Sequence, residues 1–265
     1  MNFLCFFYLI LLKLCISLNN NNDLKKICDK EKFFNNICKK KKIIVSMTSW
    51  PKRITNVLHV LKTLINQETK PDLIEINLSI IEFPTKENEL PFELKKYLEK
   101  NKNIEINWEE KNTGVFKKII PTIKKFYGMD YYLLSIDDDW LYRKDYITMM
   151  INYIETYKSD SFCLAGKGIV GSVMIYKSLS FESDFYEKLT DDIINTRISD
   201  KYISYYLRKK GKIIQGFKPK WLDYFIIFPF NPVFPNSLNN ETGKYPKNLL
   251  KLSNELIKKI KFNEN

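Results

Sequence analysis

Four short apolar, β-branched runs recur through the first half of the chain: KIIVSM (42–47), LIEINLS (73–79), IEINWEE (104–110) and YYLLSI (131–136). Between them lie stretches with a different period. From Arg53 onward Ile54, Val57, Leu58, Leu61, Leu64 and Ile65 fall at the i, i+3, i+4 spacing of one helix face, PFELKKYLEKN (91–101) is helical in composition, and FKKIIPTIKKFY (116–127) reads as a helix with Pro121 inside it. Strands that alternate with helices cannot pair through tight hairpins. They are expected to form β-α-β units, hence a mostly parallel, Rossmann-like sheet flanked by helices on both faces. No internal repeat or linker divides this region, so a single α/β domain over 42–230 is expected.

The flanks differ in character. Residues 3–18 are apolar apart from Lys13 and a few small polar residues, the chain then turns abruptly polar, and Cys15-Ile16-Ser17 supplies a small-x-small pattern before a cleavage point after Ser17. A signal peptide over 1–17 is expected, with an uncleaved signal anchor and a buried first helix as the alternatives; the run is shorter than the ~20 residues a spanning helix prefers. Residues 18–41 read as a polar, Lys-rich stem. Residues 231–265 read as a loop with Pro232, Pro235 and Pro246 followed by a Lys-rich amphipathic helix. Of five cysteines, Cys5 and Cys15 lie in the leader. Cys28 and Cys38 could close a short loop in an oxidising compartment, leaving Cys163 as a buried thiol; three unpaired packing cysteines is the other reading.

The charge balance, 43 Lys and Arg against 31 Asp and Glu for a net +12, points to anionic partners. No DNA- or RNA-reading pattern accompanies it, and no nucleic acid partner is expected. Against this background Asp137, Asp138 and Asp139 stand together directly after the fourth apolar run and before Trp140. Adjacent carboxylates repel unless a cation or several donors neutralise them. On extended backbone Asp137 and Asp139 point one way and Asp138 the other, so the outer pair can face one ion. Oxygen ligands of this kind suit Mn²⁺ or Mg²⁺, which complete their shells with water and phosphate. A solvated acidic turn is the plainer alternative. In open α/β sheets ligands bind at the carboxyl ends of strands, and both this acidic run and the loop TSWPKR (48–53) occupy such ends.

The combination IIVSMTSWPKRI, WEEKNTGVFKKIIP and LLSIDDDW, in this order and spacing, resembles the sugar-nucleotide half of glycosyltransferases with the GT-A fold, close to the family 2 type and to a branch that opens with a TSxPxRI loop. The resemblance covers about residues 41–215. It implies that Thr48, Ser49 and Arg53 contact the nucleotide, although Thr or Ser ahead of a helix is also an ordinary cap. It implies that Lys117 and Lys118, at the start of a helix, lie near the donor diphosphate, that Asp137 and Asp139 hold the metal, and that Asp138 belongs to the same donor site. ISDKYISYYLRKKGKI (198–213) is similar to the segment in which such enzymes carry an acidic pair before a helix ending in Gly. Asp200 takes the place of the catalytic base and Gly211 falls at the expected distance; a helix cap is the competing reading of Asp200. Ser199 stands where an acidic partner is usual and Lys201 where a second Asp is frequent, which makes Asp191 and Asp192 rival candidates. Gly166, Gly168 and Gly171 correspond to a loop bordering the donor sugar. The lone His59 lies among helical apolar residues and carries no catalytic expectation.

The resemblance implies a metal-dependent transfer of a sugar from a nucleoside-diphosphate-sugar donor to a hydroxyl of a glycan, glycoprotein or glycolipid, with inversion if Asp200 acts as base in a single displacement. The leader would place this in the secretory pathway, with membrane anchoring if it is retained. Two other readings are a nucleotidyltransferase, and a secreted basic glycan- or membrane-binding module without catalysis.

Overall fold

The computed structural model describes residues 41–163, 174–216, 255–256 and 258–259. The leader (1–17), the stem up to residue 40 with Cys28 and Cys38, the glycine loop with Gly166, Gly168 and Gly171, and all of the tail but four residues lie outside that range.

Among the described residues seven strands form one sheet: β1 Lys42–Thr48, β2 Leu73–Ser79, β3 Ile104–Glu109, β4 Tyr131–Ser135, β5 Ser161–Cys163, β6 Met174–Lys177 and β7 Ile214–Gly216. Their order is β3-β2-β1-β4-β6-β5-β7. β3, β2, β1 and β4 are parallel, as the alternation of periods predicts, and β6 runs antiparallel to both β4 and β5. The helices are α1 Ile54–Ile65, α2 Phe92–Lys100, α3 Ile120–Lys125, α4 Tyr146–Thr156, α5 Asp184–Glu187, α6 Asp191–Asn195 and α7 Ser199–Lys209. The chain winds from β1 outward to β3 and then returns to the other side of β1 with β4. The carboxyl ends of β1 and β4 therefore flank the point where winding reverses, which is where open α/β sheets leave a crevice.

Apolar residues cover both sheet faces. On one face Val45, Met47, Ile74, Ile76, Leu78 and Leu134 pack with Val57, Leu61 and Leu64 of α1 and with Ile147, Met150 and Ile154 of α4. On the other, Ile44, Leu133, Met174 and Tyr176 pack with Phe116, Ile120 and Ile123 and with Tyr202, Ile203, Tyr206 and Leu207 of α7. Cys163 is fully buried within this second core. His59 lies on the exposed side of α1.

The alternation in LIEINLS would by itself describe a strand with one wet face, yet Glu75, Asn77 and Ser79 are as buried as Ile74, Ile76 and Leu78. A ladder of side-chain hydrogen bonds makes this tolerable. Asn107 donates to Glu75 (3.0 Å) and Asn77 (2.8 Å), Asn77 donates to Ser46 Oγ (2.9 Å), Ser46 and Thr122 share a bond of 2.8 Å, and Lys125 reaches Glu75 at 2.7 Å. Buried polar groups left unpaired are costly, so such ladders fix register more than they add net stability. Here they pin α3 onto β1 and β2.

The region 116–127 departs from the continuous helix expected of it. A 3-10 turn, Gly114–Lys118, precedes α3, and the backbone breaks at Ile119. Pro121 sits in the first turn of α3, where a missing N–H costs nothing, rather than in a helix interior. Lys117 and Lys118 are accordingly on the 3-10 turn and not at a helix start.

Candidate active site

The loop after β1 and the acidic run after β4 are bonded to one another. Ser49 Oγ donates to Asp138 (2.6 Å), and the Arg53 guanidinium spans two carboxylates, Asp138 at 2.7 Å and Asp139 at 2.8 Å. Lys118 reaches Asp137 at 3.0 Å from the 3-10 turn. Tyr142, four residues beyond the acidic run's centre, closes it from behind: its hydroxyl accepts from the Asp137 N–H (3.0 Å) and donates to the Asp137 carbonyl (3.1 Å). Thr48 turns toward β2, where its hydroxyl donates to the Asn77 carbonyl at 2.7 Å.

The alternation expected of the three aspartates holds in part. Asp138 points inward, with 1% of its side chain exposed, while Asp137 retains 23% and Asp139 14%. Asp138 is not turned to an empty interior, because Ser49 and Arg53 meet it there, and Arg53 joins it to Asp139. Burial nevertheless dominates its titration. The Asp138 carboxyl is pushed up to about 7, with Arg53 and the Ser49 hydroxyl opposing the shift and Asp139 and Asp137 adding to it. Asp139 is also held above the ordinary carboxylate range, first by burial and then by Asp137, against the pull of Arg53.

Asp200 stands in the first turn of α7, half-buried, with the Ser199 hydroxyl at 3.2 Å. Burial raises its carboxyl; Lys118 lowers it and Asp137 raises it further, so α7 brings Asp200 into the field of the acidic run. Gly211 follows α7 with φ +65°, the left-handed conformation that favours glycine at a helix end. Asp191 and Asp192, in the first turn of α6, are both exposed. Asp191 pairs with Lys111 at 2.7 Å, and Asp192 borders a separate hollow with Glu187, Lys188 and Lys259.

A cleft of about 310 Å³ opens beside this cluster, lined by Thr48, Ser49 and Arg53 on one side, by Glu82, Asn112, Gly114 and Lys117 on a second, and by Ile194, Asn195 and Arg197 on a third. Lys117 is almost wholly buried, and its ammonium donates to Glu82 and Asn112, each at 2.6 Å. Trp50, Glu82, Asn112 and Arg197 are cleft residues that sequence reasoning missed. Trp50 lay inside a loop already singled out, whereas Glu82 and Arg197 carry no local signal: only the fold brings 82, 117 and 197 to one opening. Lys118, the acidic run Asp137–Asp139, Asp200, Asp191 and Asp192 do not line it. Among the described residues no group of three or more His, Cys, Asp or Glu converges as a metal cage.

No protein-family model matches the chain, and no curated protein is similar to it. Solved structures share its fold. A mannosyltransferase from Pyrobaculum calidifontis, PcManGT, in complex with GDP-Man and Mn²⁺, matches at a TM-score of 0.50 and 10% identity over 82% of this chain and 74% of that one. S. aureus TarS 1-349 matches at 0.48 and 13% identity over 68% of this chain, and the same segment in complex with UDP-GlcNAc at 0.47 and 14%. The match spans 58% of the TarS segment's length. At these identities the likeness is one of architecture, a GT-A-like sheet flanked by helices.

Proposed function

We propose that this GT-A-like chain is a glycosyltransferase that binds a nucleoside-diphosphate sugar in the cleft and transfers the sugar to a hydroxyl acceptor, with Mn²⁺ or Mg²⁺ as cofactor. The observation that carries the reading is the direct bonding of the β1 loop to the acidic run at the switch point, with Asp200 brought into the field of the same acids. A donor needs a place for its diphosphate, a counter-cation and a proton acceptor close together, and in this reading the cleft, the acidic run beside it and Asp200 supply them. In support of the reading, fold neighbours of the chain include proteins solved with GDP-Man and Mn²⁺ and with UDP-GlcNAc.

The donor set fits a hard divalent cation. Asp137 and Asp139 offer oxygen only, and the like-charge contribution of Asp137 to the raised carboxyl of Asp139 is what a cation would relieve. Two protein carboxylates are few, which matches ions that keep waters and phosphate oxygens in their shells. When bound, such an ion neutralises charge developing on a departing diphosphate. In this reading the chain's own groups do the rest. Asp138 anchors the β1 loop through Ser49 and Arg53, Lys118 adds positive charge beside Asp137, and Lys117 closes the cleft wall with Glu82 and Asn112. Asp200 takes the acceptor proton, which in a single displacement gives inversion. In this reading the apolar N-terminal run is a leader and the enzyme works in the secretory lumen, free or membrane-anchored, on glycans, glycoproteins or glycolipids. The catalytic domain, in the same reading, spans 42–230.

The titration of Asp200 gives the reading a sign. A base acts when ionised, so with a carboxyl raised above its ordinary value, kcat climbs with pH through a limb above the usual carboxylate range. Lys118 lowers that value, so Lys118→Met is expected to move the limb to still higher pH. A limb that stays in place in a kcat profile of this variant argues against Asp200 as the titrating base.

The first experiment incubates the full-length protein with Mn²⁺ and, in separate arms, a panel of UDP- and GDP-sugars or a nucleoside triphosphate with a sugar phosphate, and identifies the phosphate product. Free nucleoside diphosphate is the expected product. Pyrophosphate released from a nucleoside triphosphate and a sugar phosphate instead identifies a nucleotidyltransferase, and no turnover together with no nucleotide binding leaves the non-catalytic binding module.

A further inference from the structure

Of the seven large apolar side chains exposed among the described residues, five gather at one end of the sheet. Tyr127 and Met129 precede β4, Tyr157 precedes β5, Leu179 follows the antiparallel β6 and Ile213 precedes β7, each about half exposed. The strand registers set these loops side by side at the amino end of the parallel strands: Lys42 pairs with Tyr131, Tyr132 with Lys177, and Ser161 with both Tyr176 and Ile214. Hydrogen bonds tie the loops into one surface. Ser178 Oγ donates to the Met129 carbonyl (2.7 Å), and the Asp160 carboxylate accepts from the Ser180 hydroxyl (3.0 Å) and the Ile213 N–H (2.8 Å). The crevice and its cleft lie at the other end, beyond the carboxyl ends of β1 and β4. Contiguous exposed apolar surface marks an interaction site.

The charges of this end narrow what it meets. Lys42, Lys158 and Lys209 are exposed and Lys212 is half-buried. Several carboxylates of the same end are drawn into the fold: Asp72 accepts from the Ile43 N–H (2.7 Å), Asp160 is held as above, and Glu155 meets the Tyr132 hydroxyl (2.9 Å) and Lys177 (3.1 Å). Asp130 is exposed, and the four lysines outweigh it. Apolar side chains interleaved with ammonium groups suit a bilayer interface, where Tyr, Met and Leu enter the acyl boundary and lysine stems reach headgroup phosphates. The chain that carries the apolar run 3–18 joins the domain at Lys42, on this same end.

We infer that the amino end of the sheet is a docking surface for a phospholipid bilayer, with Tyr127, Met129, Leu179 and Ile213 at the interface and the cleft directed away from it. The inference does not rest on the transferase reading. It assigns the folded domain its own lipid contact, separate from any anchoring by the N-terminal run, and fixes which end of the sheet faces solvent.

The test is hydrogen–deuterium exchange of the full-length protein, alone and with vesicles of phosphatidylcholine or of phosphatidylcholine mixed with phosphatidylserine. The parent is compared with a variant carrying both Met129→Glu and Leu179→Glu; both positions are exposed, so its unfolding temperature is expected to match the parent's. On vesicles, parent amides of 126–130, 157–160, 178–180 and 211–213 are expected to exchange about 3- to 10-fold more slowly, while those of 49–53 and 80–91 keep their rates in solution. The slowing is expected to be larger with phosphatidylserine and to shrink at high salt, because the lysines contribute. In the variant it is expected to disappear even where the N-terminal run keeps the protein on the vesicle. Vesicle-bound parent whose amino-end amides exchange as in solution overturns the inference, since the N-terminal run then holds the protein by itself. Slowing at 80–91 instead overturns it, because the domain then faces the other way. So does a parent that binds neither vesicle, and so does slowing that follows protein concentration without lipid, which assigns the surface to a second copy. None of these outcomes touches the transferase reading.

Discussion

Asp200→Asn is expected to lower kcat by about 10²- to 10⁴-fold while leaving donor binding within a factor of about two, the pattern of a lost proton acceptor rather than a lost contact. The amide keeps the shape of the side chain and the bond to Ser199 but cannot take a proton. Stability should hardly move: the substitution removes a favourable carboxylate at the first turn of α7, worth about 0.3–1 kcal/mol, and also removes the burial cost that raises this carboxyl. The two candidates that share its sequence neighbourhood supply the control. Asp191 and Asp192 are exposed, whereas Asp200 is half-buried and in the field of Asp137 and Lys118, so Asp191→Asn and Asp192→Asn are expected to retain activity within about twofold, as surface changes do. A large loss at Asp192 with a small one at Asp200 would reverse the assignment.

Arg53→Met is expected to cost stability rather than chemistry alone. Its guanidinium, about a tenth exposed, is the charge partner of a carboxylate that is 1% exposed and of a second that is 14% exposed. Removing one partner of a buried pair strands the other, a loss of about 3–5 kcal/mol at pH near 8, or about 10 °C in a domain this size. The penalty depends on pH with a definite sign. The Asp138 carboxyl, ordinarily near 3.8, is raised to about 7 in the fold, so between those values the native state binds a proton that the unfolded chain does not. Its contribution is therefore full below the lower value and lost as pH rises through the upper one. Without Arg53 the raised carboxyl moves higher still, and at acidic pH a protonated Asp138 needs no counter-charge. The gap between parent and variant should thus narrow from pH 8 toward pH 5. Asp138→Asn introduced into Arg53→Met should recover much of the loss at pH 8, and a double-mutant cycle measures the coupling. Equal penalties at both pH values would show that Arg53 acts by packing and not by charge.

Much of the fold can be read from periodicity because the forces that set it are local. β1 to β4 and α1 follow from β-branched runs and a 3.6-residue apolar face, and their boundaries differ from expectation by a residue or so. Two places depart from that reading, each for a stated reason. The segment 114–125 splits because Pro121 can start a helix but not continue one, and the polar ladder of Ser46, Asn77 and Thr122 fixes α3 against β1 and β2, a placement no local pattern encodes. β6 takes its antiparallel place through pairing with β4, a choice made by topology and not by composition.

The candidate site divides the same way. The β1 loop and the acidic run are visible in sequence because each is a polar interruption of an apolar run, and the structure bonds them to one another through Ser49 and Arg53. What sequence could not supply was the opposite wall. Glu82, Asn112 and Arg197 belong to three separate loops, and they share an opening only because the sheet stacks those loops at one end. The choice between Asp200 and its neighbours had the same origin, since the helix and turn 193–199 separate candidates that spacing alone ranks together.

The most direct test of a metal-diphosphate site at the acidic run is thermal unfolding of the full-length protein with UDP, GDP and CDP at millimolar concentration, each with and without Mn²⁺, repeated for Asp139→Ala. The account predicts a rise in the unfolding temperature of several degrees for one diphosphate, seen only with Mn²⁺ and absent in the variant; a ligand at about 100 times its Kd adds about 2.7 kcal/mol. A folded protein that shows no rise with any diphosphate, or the same rise without metal and in Asp139→Ala, would contradict it.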